Sequence, residues 1–157
     1  MAVRHQLIAR KPAAVWAVLE DCTRYGDWVV GPSGSEAQDG EWPDVGSSIG
    51  YTLRLGRLEL AGCTVVRRHE PPRWLELEAH CDPFGSARIA LDIRPWGEET
   101  LVILDEHPLR GYGGLLHNFA FDALIQLRHR NMLKRLAKVV EELPREAEAG
   151  AGRAAGR

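Results

Sequence analysis

One stretch of this sequence limits its fold more than any other. From Leu115 to Leu143 there is no Pro and no Gly, good helix formers prevail, and Pro144 closes the run, which predicts a single long helix. The sequence before it, from Ser48 onward, reads as strand-like runs: Ser48 to Leu55, Leu58 to Arg68, Trp74 to Cys81, Ser86 to Arg94 and Thr100 to Leu109. The breaks between them are Gly56-Arg57, Glu70-Pro71-Pro72-Arg73, Asp82-Pro83-Phe84-Gly85 and Pro95-Trp96-Gly97-Glu98. A parallel crossover needs about a dozen residues, so such short connections impose antiparallel neighbours. Strands segregated from one long helix define an α+β domain whose sheet buries the helix on one concave face.

The N-terminal third completes the order of elements. Val3 to Ala9 predicts a strand, and Pro12 suits the first turn of a helix that runs to Leu19 with Ala14, Val15, Val18 and Leu19 as its apolar set. Asp21-Cys22-Thr23 offers a cap for a second short helix, Arg24 to Trp28. Gly31 to Ser48 is rich in Gly, Ser, Asp and Pro, and predicts two loops around one short strand near Glu36 to Asp39. The expected order is strand, two short helices, six strands, long helix. Residues 144–157 have too little apolar surface to fold and are expected to be a disordered tail on a domain of residues 1–143.

Composition enters mainly through what it excludes. At 157 residues with 45% apolar and 27% charged side chains, the chain suits one domain with a real core. The 20 basic and 22 acidic residues are intermixed, so no broad footprint for nucleic acid is present. The basic cluster Arg128, His129, Arg130, Lys134, Arg135 and Lys138 reads as a solvated helix face, because the same helix carries Glu141 and Glu142. Cys22, Cys63 and Cys81 have neither disulfide nor zinc spacing and read as buried free thiols of a reducing, cytoplasmic compartment. No run approaches the roughly 18 apolar residues of a membrane span, so no membrane insertion is expected. Nucleophile-elbow, P-loop, dinucleotide and HExxH patterns are absent, and neither metal nor cofactor is expected.

Several weaker patterns then fall in one order. They are Pro12-Ala13-Ala14-Val15-Trp16-Ala17-Val18-Leu19 with Tyr25-Gly26-Asp27-Trp28, Trp42-Pro43-Asp44-Val45-Gly46, Glu70-Pro71-Pro72-Arg73-Trp74-Leu75, Glu106-His107-Pro108, and Arg130-Asn131-Met132-Leu133 before Leu136-Ala137. In that order and spacing the chain resembles the START-related superfamily of lipid-transfer domains, polyketide cyclase/dehydrase-like proteins and birch-pollen-allergen-type proteins. The resemblance implies a helix-grip fold: a curved antiparallel sheet of about seven strands wrapped around a long C-terminal helix, with two short helices after strand 1. It also implies a hydrophobic cavity between sheet and helix, without specifying a reaction.

Strand parity and helical rotation nominate the residues facing that space. Val102, Leu104 and Glu106 form one row of the last strand, which family patterning turns inward. Leu75, Leu77, Ala79 and Cys81 form another, with Glu76, Glu78 and His80 in water. Ile89, Leu91 and Ile93 make a third row, and Ile49, Tyr51, Leu53 and Leu55 a fourth. Gly62 to His69 shows no clear parity, so Arg67 and His69 stay unassigned. On the long helix, Leu115, Asp122, Ile125, His129, Met132, Leu133, Leu136 and Val140 share one stripe, and Leu116, Phe119, Ala120, Ala123, Leu124 and Leu127 a second. The candidate ligand-binding residues are Trp28, Tyr51, Leu53, Leu77, Ile89 and Leu91, with Leu104, Phe119, Ile125 and Leu133. Glu106, Asp122 and His129 are candidate acid-base residues, since carboxylates and imidazoles move protons when positioned against a substrate. The structural alternatives are a Glu106 paired to Arg88 or Arg110, a satisfied His129, and Trp28, Trp42 and Tyr51 as packing.

Three functions fit these residues. One is a binding protein for a hydrophobic small molecule, lipid-like or polyketide-like. The next is a polyketide cyclase/dehydratase in which Glu106, Asp122 or His129 moves protons. The third is a regulatory module that dimerises through Leu116, Phe119 and Leu124.

Overall fold

The computed structural model describes residues 2–82, 85–110 and 119–145, and all their side chains except those of Ala2, Leu55 and 119–127. Strand β1 (Ala2–Ile8) leads to helix α1 (Pro12–Leu19), a 3₁₀ turn (Cys22–Arg24) and helix α2 (Tyr25–Trp28). Then come β2 (Pro32–Asp39), β3 (Ser48–Leu55), β4 (Leu58–Glu70), β5 (Trp74–Cys81), β6 (Gly85–Trp96), β7 (Glu99–Arg110) and helix α3 (Phe119–Glu141). The strands form one antiparallel sheet in the order β1-β7-β6-β5-β4-β3-β2, as the short turns require. The class of protein is therefore the α+β helix-grip domain. The expected start of the long helix at Leu115 and the tail beyond Arg145 lie outside the described residues.

Two departures from the sequence expectation have local causes. Strand β2 begins at Pro32, paired with Leu53, rather than near Glu36. Its register shifts between Ser33 and Ser35, around Gly34 with φ of +61°, so the strand is irregular where the sequence resembles a loop. In β4 the register shifts between Val66 and Arg68, leaving Arg67 without a cross-strand partner. Gly62, Thr64 and Val66 face inward before this bulge and His69 after it, and the break erases the parity of Gly62 to His69.

The inner rows close on the helix. Leu75, Leu77, Ile89, Leu91, Ile93, Val102 and Leu104 join Met132, Leu133, Leu136 and Val140 of α3 in one buried cluster. The cysteines are corrected by the structure: all three are free but half-buried, and Cys63 pairs across strands with the half-buried His80. Among the described residues no helix is long and apolar enough to cross a membrane.

What fixes the end of α3 was not legible in the sequence. Arg10, just past β1, is buried, and its Nη1 donates to the carbonyls of Val140 (3.2 Å) and Leu143 (2.7 Å). The Ala9 amide donates to Glu141 Oε1 (3.1 Å). A cation on the orphan carbonyls of a helix C-terminus satisfies both their hydrogen bonds and the helix dipole. Arg10→Leu is expected to cost about 2 kcal/mol, the scale of buried acceptors left unmade, with faster amide exchange confined to the last turn of α3. Urea denaturation and hydrogen exchange measure the two effects.

Candidate functional site

The site begins with a carboxylate where the pattern calls for an aliphatic side chain. Glu106 continues the inner row after Val102 and Leu104, and lies across from Ile89, which is itself across from Leu77. Its side chain is only 10% exposed. Two consecutive residues of α3 reach it, because side chains about 100° apart on a helix can grip one group from two sides. Arg128 Nη1 donates to Glu106 Oε1 (3.1 Å) and Oε2 (3.3 Å), and His129 Nε2 hydrogen-bonds Oε2. Arg128 Nε also donates to the Val30 carbonyl (3.3 Å), so one guanidinium joins β7, α3 and the connection after α2.

Burial pushes the Glu106 carboxyl up, but the His129 hydrogen bond and the Arg128 charge outweigh it and leave it below the usual carboxylate range. An ionised carboxylate only accepts, so Nε2 of His129 is the donor. In the neutral ring the lone pair then sits on Nδ1, which is buried and without a hydrogen-bond partner among the described residues. His129 is fully buried.

A second polar set lies in the same core. Tyr25 and Thr64 share a hydrogen bond between hydroxyls (2.7 Å), and the rings of Tyr25 and Tyr51 stack at 5.5 Å. Trp28 and Trp42 meet the Tyr25 ring edge-on at 5.6 and 6.4 Å. Burial raises both phenols above their ordinary value, Tyr25 far above it, so each keeps its proton at physiological pH. Gly62 makes room for this stack: a Cβ there overlaps the Tyr51 ring. Gly62→Ala is expected to displace that ring and cost about 1–3 kcal/mol by overpacking, read as a lower urea midpoint and altered near-UV circular dichroism.

The structure brings Glu106 and His129 together and places the side chains of Asp122, Phe119 and Ile125 outside the described residues. Trp28, Leu77, Ile89, Leu91, Leu104 and Leu133 are buried in the core, with Tyr51 at its margin and Leu53 half-buried. Two expectations are corrected. The partner of Glu106 is Arg128 rather than Arg88 or Arg110, since Arg88 Nη2 is held by Glu76 at 2.7 Å. Arg128 and His129 also leave the solvated helix face to which their basic neighbours suggested they belong. Arg128, Tyr25 and Thr64 were missed, although the position of Arg128 beside His129, toward the Glu106 strand, was a usable signal.

Comparison with known proteins completes the identification. The family described as polyketide cyclase/dehydrase and lipid transport matches residues 2–141, and the chain belongs to it. No curated protein matches the sequence. A solution structure of a protein from Arthrobacter aurescens is 17% identical with a TM-score of 0.70, over 92% of this chain and 87% of that one. The crystal structure of Ara h 8.0201 shares 8% identity with a TM-score of 0.70, covering 88% and 95% of the two chains. CalU16 from Micromonospora echinospora shares 18% identity with a TM-score of 0.59, covering 97% and 83%. At these identities the likeness is one of fold.

Proposed function

We propose that this domain binds a small, largely apolar molecule between its sheet and α3, with the molecule's polar group oriented by the cluster of Glu106, Arg128 and His129. The observation that carries this reading is an ionised carboxylate inside an otherwise aliphatic row, held by two side chains of the helix. Well-packed apolar residues of similar volume usually serve stability as well as a buried ion pair does, so structure alone gives the chain little reason to keep it. Apolar burial at roughly 25 cal/mol per Å² supplies affinity, and one or two polar groups set orientation. Family membership supports the same reading.

A second reading, cyclase- or dehydratase-like proton transfer, is favoured by His129. A carboxylate on Nε2 and an Nδ1 with no partner among the described residues are what an oriented general base requires. In that case Glu106 positions the ring and His129 carries the proton. A substrate reaches Nδ1 only by displacing what covers it, because the side chain is fully buried.

Titration with naphthol and dodecanol, followed through tryptophan fluorescence, tests the binding reading. Saturable quenching by either is expected, weakened by Glu106→Leu paired with His129→Leu. Lack of response to both probes, and to longer-chain and polycyclic homologues, contradicts it. If turnover is found on any polyketide-like substrate, Glu106→Gln is expected to reduce kcat far more than binding, and full activity in that variant removes Glu106 from the chemistry.

A further inference from the structure

Cations on the sheet are neutralised almost one by one. Arg54 meets Glu59, Arg67 meets Glu78, Arg68 meets Glu70, Arg88 meets Glu76, and Arg73 and Arg94 share Asp92. Arg130 and Lys134 of α3 break the pattern. Both are exposed, and neither has an ion-pair partner among the described residues. Four residues apart, they stack one turn above the other, where like charges destabilise a helix. The helix dipole offsets this cost for Lys138 in the last turn, but its effect fades before Lys134 and Arg130.

These two cations face β1 across a groove of about 420 Å³, lined by Val3 to Gln6 on one side and by Arg130, Leu133 and Lys134 on the other. Strand β1 is an edge of the sheet, so alternate backbone N–H groups on its free side have no strand partner among the described residues. Arg4 lies on the helix-facing row, beside Leu104, and so turns toward α3. Leu133, buried at 3% exposure, anchors the helix side of the groove in the core and fixes the cations to either side of it. Arg130 and Lys134 thus bring two permanent cations without an ion pair among the described residues to a groove whose described lining holds no carboxylate.

We infer that this groove binds a phosphate-type oxyanion carrying more than one charge, either free or as the headgroup of a lipid. Guanidinium and ammonium groups converging on one space suit a tetrahedral dianion with several acceptor oxygens, whereas one carboxylate leaves part of the charge uncompensated. The site lies outside the interior cluster and does not depend on the function proposed for it.

The test is an amide-resolved NMR titration of the full chain with inorganic phosphate at low salt, against chloride at matched ionic strength. In parallel, the chain is sedimented with phosphatidylcholine vesicles with and without phosphatidic acid. Saturable shifts confined to residues 3–6 and 130–134, or sedimentation that requires phosphatidic acid, are expected. Arg130→Gln with Lys134→Gln is expected to weaken either by about tenfold or more, as loss of charge-assisted bonds does. Because the double variant removes like-charge repulsion, its melting temperature is expected to be unchanged or higher. Phosphate shifts alone identify a free ligand, and vesicle binding alone a headgroup. Binding in neither arm, shifts that chloride reproduces, or unchanged binding by the double variant overturns the site.

Discussion

Glu106→Ala is expected to lower the unfolding free energy by about 3 kcal/mol, among the largest effects of any single truncation in this domain. Breaking a buried ion pair from one side typically costs about 3–5 kcal/mol, because the remaining charge stays desolvated without a partner. The lower end applies here, since Arg128 is 32% exposed and can turn its guanidinium toward water, while the fully buried His129 cannot. Replacing Glu106 and His129 together by Leu is therefore expected to recover much of the loss. Urea denaturation of the two variants measures both effects. The same carboxylate sets a pH dependence. Its value in the folded chain lies below the ordinary one of 4.5, so its contribution is complete above pH 4.5 and disappears as pH falls through the folded value. Relative to Glu106→Ala, the wild-type chain should lose stability more steeply on that acid limb; parallel limbs would show that Glu106 carries no linkage.

Leu136→Ala is the second large effect, expected at about 2–5 kcal/mol. Leu136 is fully buried on the stripe that includes Met132 and Val140, on a helix that packs against β1 and the short helices. Removing its side chain leaves a cavity that rigid strands cannot fill by collapse. A fall in urea midpoint at constant m identifies a packing loss, and a change in m identifies a loosened helix instead.

The elements most legible in the sequence were those whose pattern had a single cause. The inner rows of β5, β6 and β7 follow strict alternation, and the register places Leu77, Ile89 and Glu106 side by side as that alternation requires. Alternation failed at Arg67, where a bulge inserts a residue that no local pattern announces. The site was half legible. Glu106 stood out as a charge in an apolar row, and His129 as a polar break in a helical stripe. Arg128 did not stand out, because a cation among cations reads as surface until the fold shows which ones turn inward. Tyr25 and Thr64 come from distant elements, and only tertiary packing joins their hydroxyls.

Native mass spectrometry of the protein purified from its own host, followed by denaturing extraction, tests the central claim most directly. The account predicts one small, largely apolar molecule bound per chain, released on unfolding and lost when Glu106 and His129 are both replaced by Leu. A wild-type chain that is empty and that takes up none of the apolar probes offered to it contradicts the account.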